Sequence, residues 1–213
     1  MGFRPGAEPC PAVRAAVALR SAGRCIVGTP GAAEKPVKVL DLERLRAAPL
    51  EHDPFDFVVV EEFVPAAALP AILADFPAVR GAGSFPIESL EYGAAFADLV
   101  AALTGPPLAR AVGEKFAVDL DGRPTMLTVR GFGDAEDGRI HTDSASKIIT
   151  LLLYMNSAWE PSGGRLRLLR GPDDLDDCVR EVAPLAGTML AFRRSARSFH
   201  GHRRHVGERR VLS

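Results

Sequence analysis

Residues 141–169 read HTDSASKIITLLLYMNSAWEPSGGRLRLL, and the reading of the fold turns on this stretch. Its centre, Ile148–Tyr154, is a continuous apolar run that is strand-sized and far short of the ~20 residues that cross a bilayer. Gly163-Gly164 then turns the chain, and Arg165–Leu169 resumes as a second short run. The same rhythm continues on both sides. Thr125–Val129 precedes it, Thr188–Phe192 and Arg209–Leu212 follow, and Gly171-Pro172 and Gly187 punctuate the interval. Short strands separated by Gly/Pro turns predict a sandwich or barrel.

Upstream of Pro124 the pattern differs. Phe55–Phe63 (FDFVVVEEF) mixes aromatic and β-branched residues and reads as a strand. Pro65–Phe76, Ala94–Leu103 and Leu108–Phe116 read as helices, although Pro70 inside the first removes a hydrogen bond. The chain therefore divides into a support region, 39–123, and a β-rich core, 124–213. Residues 1–38 hold six Lys/Arg against two Glu amid Ala, Gly and Pro. They lack the apolar stretch of a secretory signal and are read as a disordered tail.

Composition narrows the function classes. A net charge of −1 gives no pull toward nucleic acid or an anionic membrane. Cys10, Cys25 and Cys178 are too scattered for a disulfide framework or a CxxC zinc site, which favours a reducing, cytoplasmic setting. No nucleic-acid or membrane partner is expected, and oligomeric state is not legible.

The chemistry lies in the core. His141 and Asp143 are two residues apart, so in an extended segment both side chains point the same way. An imidazole and a carboxylate can then converge on one ion, with a third ligand supplied by His200 or by His202, which would share its face. Two histidines and one carboxylate on one side of an ion leave the other side open, as Fe(II) oxygenases require. Taken singly, His141 also reads as a loop histidine and Asp143 as a turn residue. Arg209 offers a planar fork suited to a carboxylate, and Tyr154 a hydroxyl that needs a partner when buried. They also read as a surface cation and an ordinary strand-end tyrosine. Arg130, Lys147, Arg193, Arg194 and Arg197 lie around these residues, either as solvated charges or as a basic rim for an acidic substrate.

The order H141-T-D143, K147-IITLLLY154-M-N156, W159, G163-G-R-L-R-L-L169 and L190-A-F-R-R-S-A-R-S-F-H200, with Arg209 nine residues later, resembles the 2-oxoglutarate/Fe(II) oxygenases. It is closest to their prolyl 4-hydroxylase-like branch. The resemblance implies a mainly β, α+β fold: a double-stranded β-helix (jelly roll) core with N-terminal flanking helices. It implies iron(II) on His141, Asp143 and His200, and 2-oxoglutarate gripped by Arg209 and Tyr154. With O2 and, as reductant, ascorbate, the implied reaction hydroxylates a C–H bond of a peptidyl proline or small molecule, releasing succinate and CO2. The His200–Arg209 spacing favours His200 over His202. Two other readings compete: a cupin-type metalloenzyme that does not use 2-oxoglutarate, and a non-catalytic jelly-roll binding module. The short strand after Arg209 is expected to be a weakly held edge.

Overall fold

The computed structural model describes residues 38–213, so the tail expected over 1–38 lies, but for Lys38, outside the described residues. Nine strands and four helices follow: α1 Leu42–Ala47, β1 Phe57–Val60, α2 Leu69–Ala74, β2 Phe85–Pro86, α3 Ala94–Thr104, α4 Pro106–Phe116, β3 Thr128–Gly133, β4 Ile149–Tyr154, β5 Leu166–Leu169, β6 Cys178–Val182, β7 Met189–Arg193, β8 His200–His202 and β9 Gly207–Leu212. The helix expected over 65–76 shortens to α2, which places Pro70 in its first turn, where a missing N–H costs nothing. α4 opens on Pro106-Pro107 and closes on Ala117 in the left-handed region, φ 50°. No helix among the described residues is long and apolar enough to cross a membrane.

The strands form a six-stranded sheet, β1-β7-β4-β9-β3-β2, and a three-stranded sheet, β6-β5-β8, with antiparallel pairing throughout. Side chains alternate across the large sheet, and two cores result. Leu153, Met189, Ala191 and Leu212 face the helices, where Phe96, Leu99, Val112 and Phe116 complete a shared core. Tyr154, Leu190, Phe192 and Val211 face the small sheet, meeting Leu166, Leu168 and Val182. This is the jelly-roll core with flanking helices that the sequence led us to expect.

Three differences are informative. α1, β6 and β8 carried no strong periodic signal: α1 has one fully buried residue, Leu45, and β6 is mostly exposed. β8 is only three residues, HGH. β9 is not an edge. It lies between β3 and β4, with Leu212 opposite both Val129 and Leu153, so its backbone groups are paired on both sides.

Candidate active site

The period of two along three strands aims one set of side chains into the space between the sheets. Thr150, Leu152 and Tyr154 come from β4, Arg209 and Val211 from β9, and His200 and His202 from β8. Apart from Tyr154, these residues line a cavity of ≈ 260 Å³ together with His141, Asp143, Lys147, Arg130 and Leu166. A larger depression of ≈ 370 Å³ over Arg44, Val60 and Arg180 lies elsewhere. It contains none of the groupings that could hold a metal, since the one such cluster among the described residues is His141, Asp143 and His200.

Those three residues offer ligand atoms that all lie within 4.8 Å of one another. The backbone creates this proximity. His141 and His200 form a two-way bridge, each N–H donating to the other's carbonyl at 3.0 Å, which brings their rings to 4.3 Å between centroids. Each ring is also oriented from behind. His141 Nδ1–H donates to the Arg139 carbonyl at 2.8 Å and His200 Nδ1–H to the Ser198 carbonyl at 2.9 Å. That tautomer leaves both Nε2 lone pairs free, the state a metal ligand requires. Burial pushes His200 below its usual histidine range, so it stays neutral. Burial alone would raise the pKa of Asp143. The Thr150 hydroxyl, which donates to its Oδ2, and the Lys147 ammonium outweigh burial and hold it low. Lys147 Nζ sits 3.4 Å from Asp143 Oδ1.

At the other end lies Arg209, 5% exposed, with no carboxylate paired to it among the described residues. Its Nε–H donates to the Gly164 carbonyl at 2.9 Å. Asn156 fixes the neighbouring backbone, accepting the Arg210 N–H at 2.8 Å and donating to the Arg210 carbonyl at 3.1 Å. Burial weakens Arg209's hold on its proton, yet a guanidinium keeps its charge. Beside it, the Tyr154 hydroxyl is fully buried and has no hydrogen-bond partner among the described residues. Burial pushes its pKa up to about 12 against the pull of Arg209, so it is a committed donor. A buried cation without an anion and an orphaned donor together make a receptor for a carboxylate.

His202 does not join the metal cluster. It shares the inward face with His200, being opposite Leu166 where His200 is opposite Leu168. Its Nδ1–H donates to the Arg203 carbonyl at 2.9 Å. Gly138, at φ +89°, passes so close that a side chain there would collide with the imidazole. Of the basic residues, Arg130 pairs with Asp137 at 2.5 Å inside the cavity, and Arg194 Nε–H donates to the Asp143 carbonyl at 3.1 Å. Arg193 continues the outward set Met189 and Ala191 and faces away. His52 pairs with Asp56, and His205 stacks on Trp159. Sequence reasoning passed over Thr150 and Gly164. Thr150 was within reach by counting back in twos from Tyr154, whereas the role of Gly164 depends on a contact across 45 residues.

Residues 127–213 match the family model described as the 2OG-Fe(II) oxygenase superfamily. That match spans the β-rich part of the chain, from just before β3 to its end. The chain also resembles solved structures in fold. A Pseudomonas putida prolyl-4-hydroxylase aligns over 80% of this chain and 88% of its own at 21% identity and a TM-score of 0.51. A structure from work on Phytophthora capsici prolyl 4-hydroxylases aligns over 86% and 67% at 20% identity, TM-score 0.56. A viral collagen prolyl hydroxylase from Paramecium Bursaria Chlorella virus-1, in complex with 2OG, aligns over 73% and 92% at 12% identity, TM-score 0.50. No curated protein matches the chain at a meaningful level. The donor set suits Fe(II) and 2-oxoglutarate: two imidazole nitrogens and one carboxylate for the metal, and a buried arginine and tyrosine for a dicarboxylate.

Proposed function

We propose that this protein is an Fe(II)- and 2-oxoglutarate-dependent dioxygenase of prolyl 4-hydroxylase-like type, hydroxylating a C–H bond and releasing succinate and CO2. The observation that carries the reading is one cavity lined by the His141–Asp143–His200 cluster and by a buried Arg209 that has no anionic partner among the described residues, with the orphaned Tyr154 hydroxyl behind that arginine. A cupin-type enzyme that does not use 2-oxoglutarate has no need of the second feature. A non-catalytic module needs neither.

His141 Nε2, His200 Nε2 and Asp143 would hold the iron, and the metal with 2-oxoglutarate and O2 supplies the oxidising chemistry when bound. The chain's own residues do the rest. The Arg139 and Ser198 carbonyls lock the two imidazole tautomers, and Thr150 steadies the carboxylate. Arg209 and Tyr154 receive the far carboxylate of 2-oxoglutarate through charge-assisted hydrogen bonds. Leu152, Leu166 and Val211 narrow the space between and exclude water. A peptidyl proline or small-molecule substrate is supported by the prolyl hydroxylases among the structural neighbours. Ascorbate as reductant and a cytoplasmic setting go with the reading, because Fe(II) and a free thiol such as Cys178 both persist where conditions are reducing.

The test is succinate release from 2-oxoglutarate by purified protein with Fe(II) and ascorbate. Slow turnover in wild type is expected to vanish in His141→Ala. In Arg209→Ala it should require roughly ten- to a hundredfold more 2-oxoglutarate, the worth of a hydrogen-bonded charge pair. Absence of both turnover and 2-oxoglutarate binding by calorimetry would overturn the reading.

A further inference from the structure

Charge balance at the loaded site leaves a remainder, and this inference rests on the oxygenase reading above. Asp143 and the near carboxylate of 2-oxoglutarate together offset a divalent iron, while Arg209 offsets the far carboxylate. Arg130 is neutralised by Asp137 and Arg139 by Glu136. Three cations stay unanswered. Lys147 lines the cavity with its side chain 31% exposed, and its carboxylate neighbour is Asp143, which the metal would claim. Arg194 is half-buried, with Nε committed to the Asp143 carbonyl, and no carboxylate pairs with its terminal nitrogens among the described residues. Arg197 is exposed on the Ser195–Ser198 turn that leads into β8, and it has no ion-pair partner among the described residues either. The whole chain carries a net charge of −1, so this surplus is local. Lys147 and Arg194 are also not the freely solvated lysines and arginines of an ordinary surface, since each is anchored against Asp143.

We infer that the substrate hydroxylated here carries a carboxylate close to the oxidised carbon, received by Lys147 in the cavity lining and by Arg194, held beside it on the Asp143 carbonyl, with Arg197, exposed on the turn before β8, adding to the positive field. A positively lined cleft raises the local concentration and on-rate of an anion, and a part-buried cation pair that loses Asp143 to the metal regains a counter-charge when substrate arrives. The same chemistry has two sources: acidic residues flanking a peptidyl proline, or the carboxylate of a free amino acid.

The experiment measures binding to protein loaded with Mn(II), a redox-silent stand-in for Fe(II), and 2-oxoglutarate. Four probes are used: a blocked peptide Ala-Glu-Pro-Glu-Ala, its twin Ala-Gln-Pro-Gln-Ala, free proline, and prolinamide. One of the two carboxylated probes is expected to bind about tenfold or more tightly than its amide twin. The preference should shrink in Arg194→Gln and in Lys147→Gln, and should weaken as salt rises. Whichever pair shows it identifies the source. Equal affinities within both pairs, or no binding by any probe, overturns the inference. Wild-type succinate release without any probe is read in parallel. If that release and 2-oxoglutarate binding by calorimetry are both absent while the carboxylate preference stands, the oxygenase reading falls and the charge reading survives.

Discussion

Tyr154 and Arg209 show how one residue can serve ligand and fold with opposite signs. The Tyr154 hydroxyl is buried without a partner, a state that costs the protein roughly 1–3 kcal/mol when nothing is bound. Tyr154→Phe should therefore leave the metal-free protein as stable or up to about 1 kcal/mol more stable, while weakening 2-oxoglutarate binding several-fold. Denaturant midpoints and calorimetry on the same preparations read both numbers; a loss of stability without a loss of affinity would make the hydroxyl structural. His202 supplies a pH signature. Burial first and the charge of Arg209 second push it down to about 4 from an ordinary 6.5. As pH falls through that interval the unfolded chain takes up a proton that the folded chain refuses. The contribution of His202 is thus complete above pH 6.5 and is lost progressively toward pH 4, an effect on the order of 3 kcal/mol. His200 shifts in the same direction, so the two add. Urea midpoints of wild type should fall over this window and those of His202→Asn should fall less; parallel curves would mean that the ring ionises freely in the folded state.

At the scale of elements, the turn between Trp159 and β5 is the support of Arg209. Gly164 sits at φ +74°, and a Cβ there would lie 2.6 Å from the Trp159 ring and 3.1 Å from His205. Its carbonyl holds Arg209 Nε. Gly164→Ala should cost about 1–3 kcal/mol of strain and tilt the guanidinium, raising KM for 2-oxoglutarate more than it lowers kcat. A fall in thermal stability with KM unchanged would confine Gly164 to a folding role. This turn also marks the limit of what was legible in the sequence. Strands with a mainly apolar run bounded by turn signals, β4 and β7, and the helices α3 and α4 were readable because such runs and helical periods are local properties. β8 was not, because HGH has no apolar pattern and is a strand only through its pairing with β5. The grouping of His141, Asp143 and His200 was anticipated because the first two are near neighbours and because the resemblance favoured His200 by its spacing to Arg209. That His202 falls outside it required the bridge between His141 and His200, a contact no local pattern encodes.

For the whole molecule, the question is whether the residues that carry the chemistry can stand alone. The family match begins at residue 127, yet the large sheet begins with β1, which pairs with β7 from Phe57 opposite Phe192 to Val60 opposite Met189. One full face of that sheet is covered by residues from 40–120. Removing them would expose Val129, Leu153, Met155, Met189, Ala191 and Leu212, all now buried. At about 2 kcal/mol for each large side chain, the loss is roughly 10 kcal/mol. That equals the entire stability of a typical domain. The region 39–123 is therefore expected to act as half of one folding unit and not as an appendage. Residues 124–213 expressed alone should lack a cooperative thermal transition and should give no metal-dependent shift. Residues 39–213 should unfold in one transition that moves upward by several degrees when Mn(II) and 2-oxoglutarate are added at about 100 times their dissociation constants. A sharp, ligand-shifted transition in the shorter chain would show that the two sheets hold each other without the helices, and that the apolar face over Leu153 and Met189 is dispensable to the site.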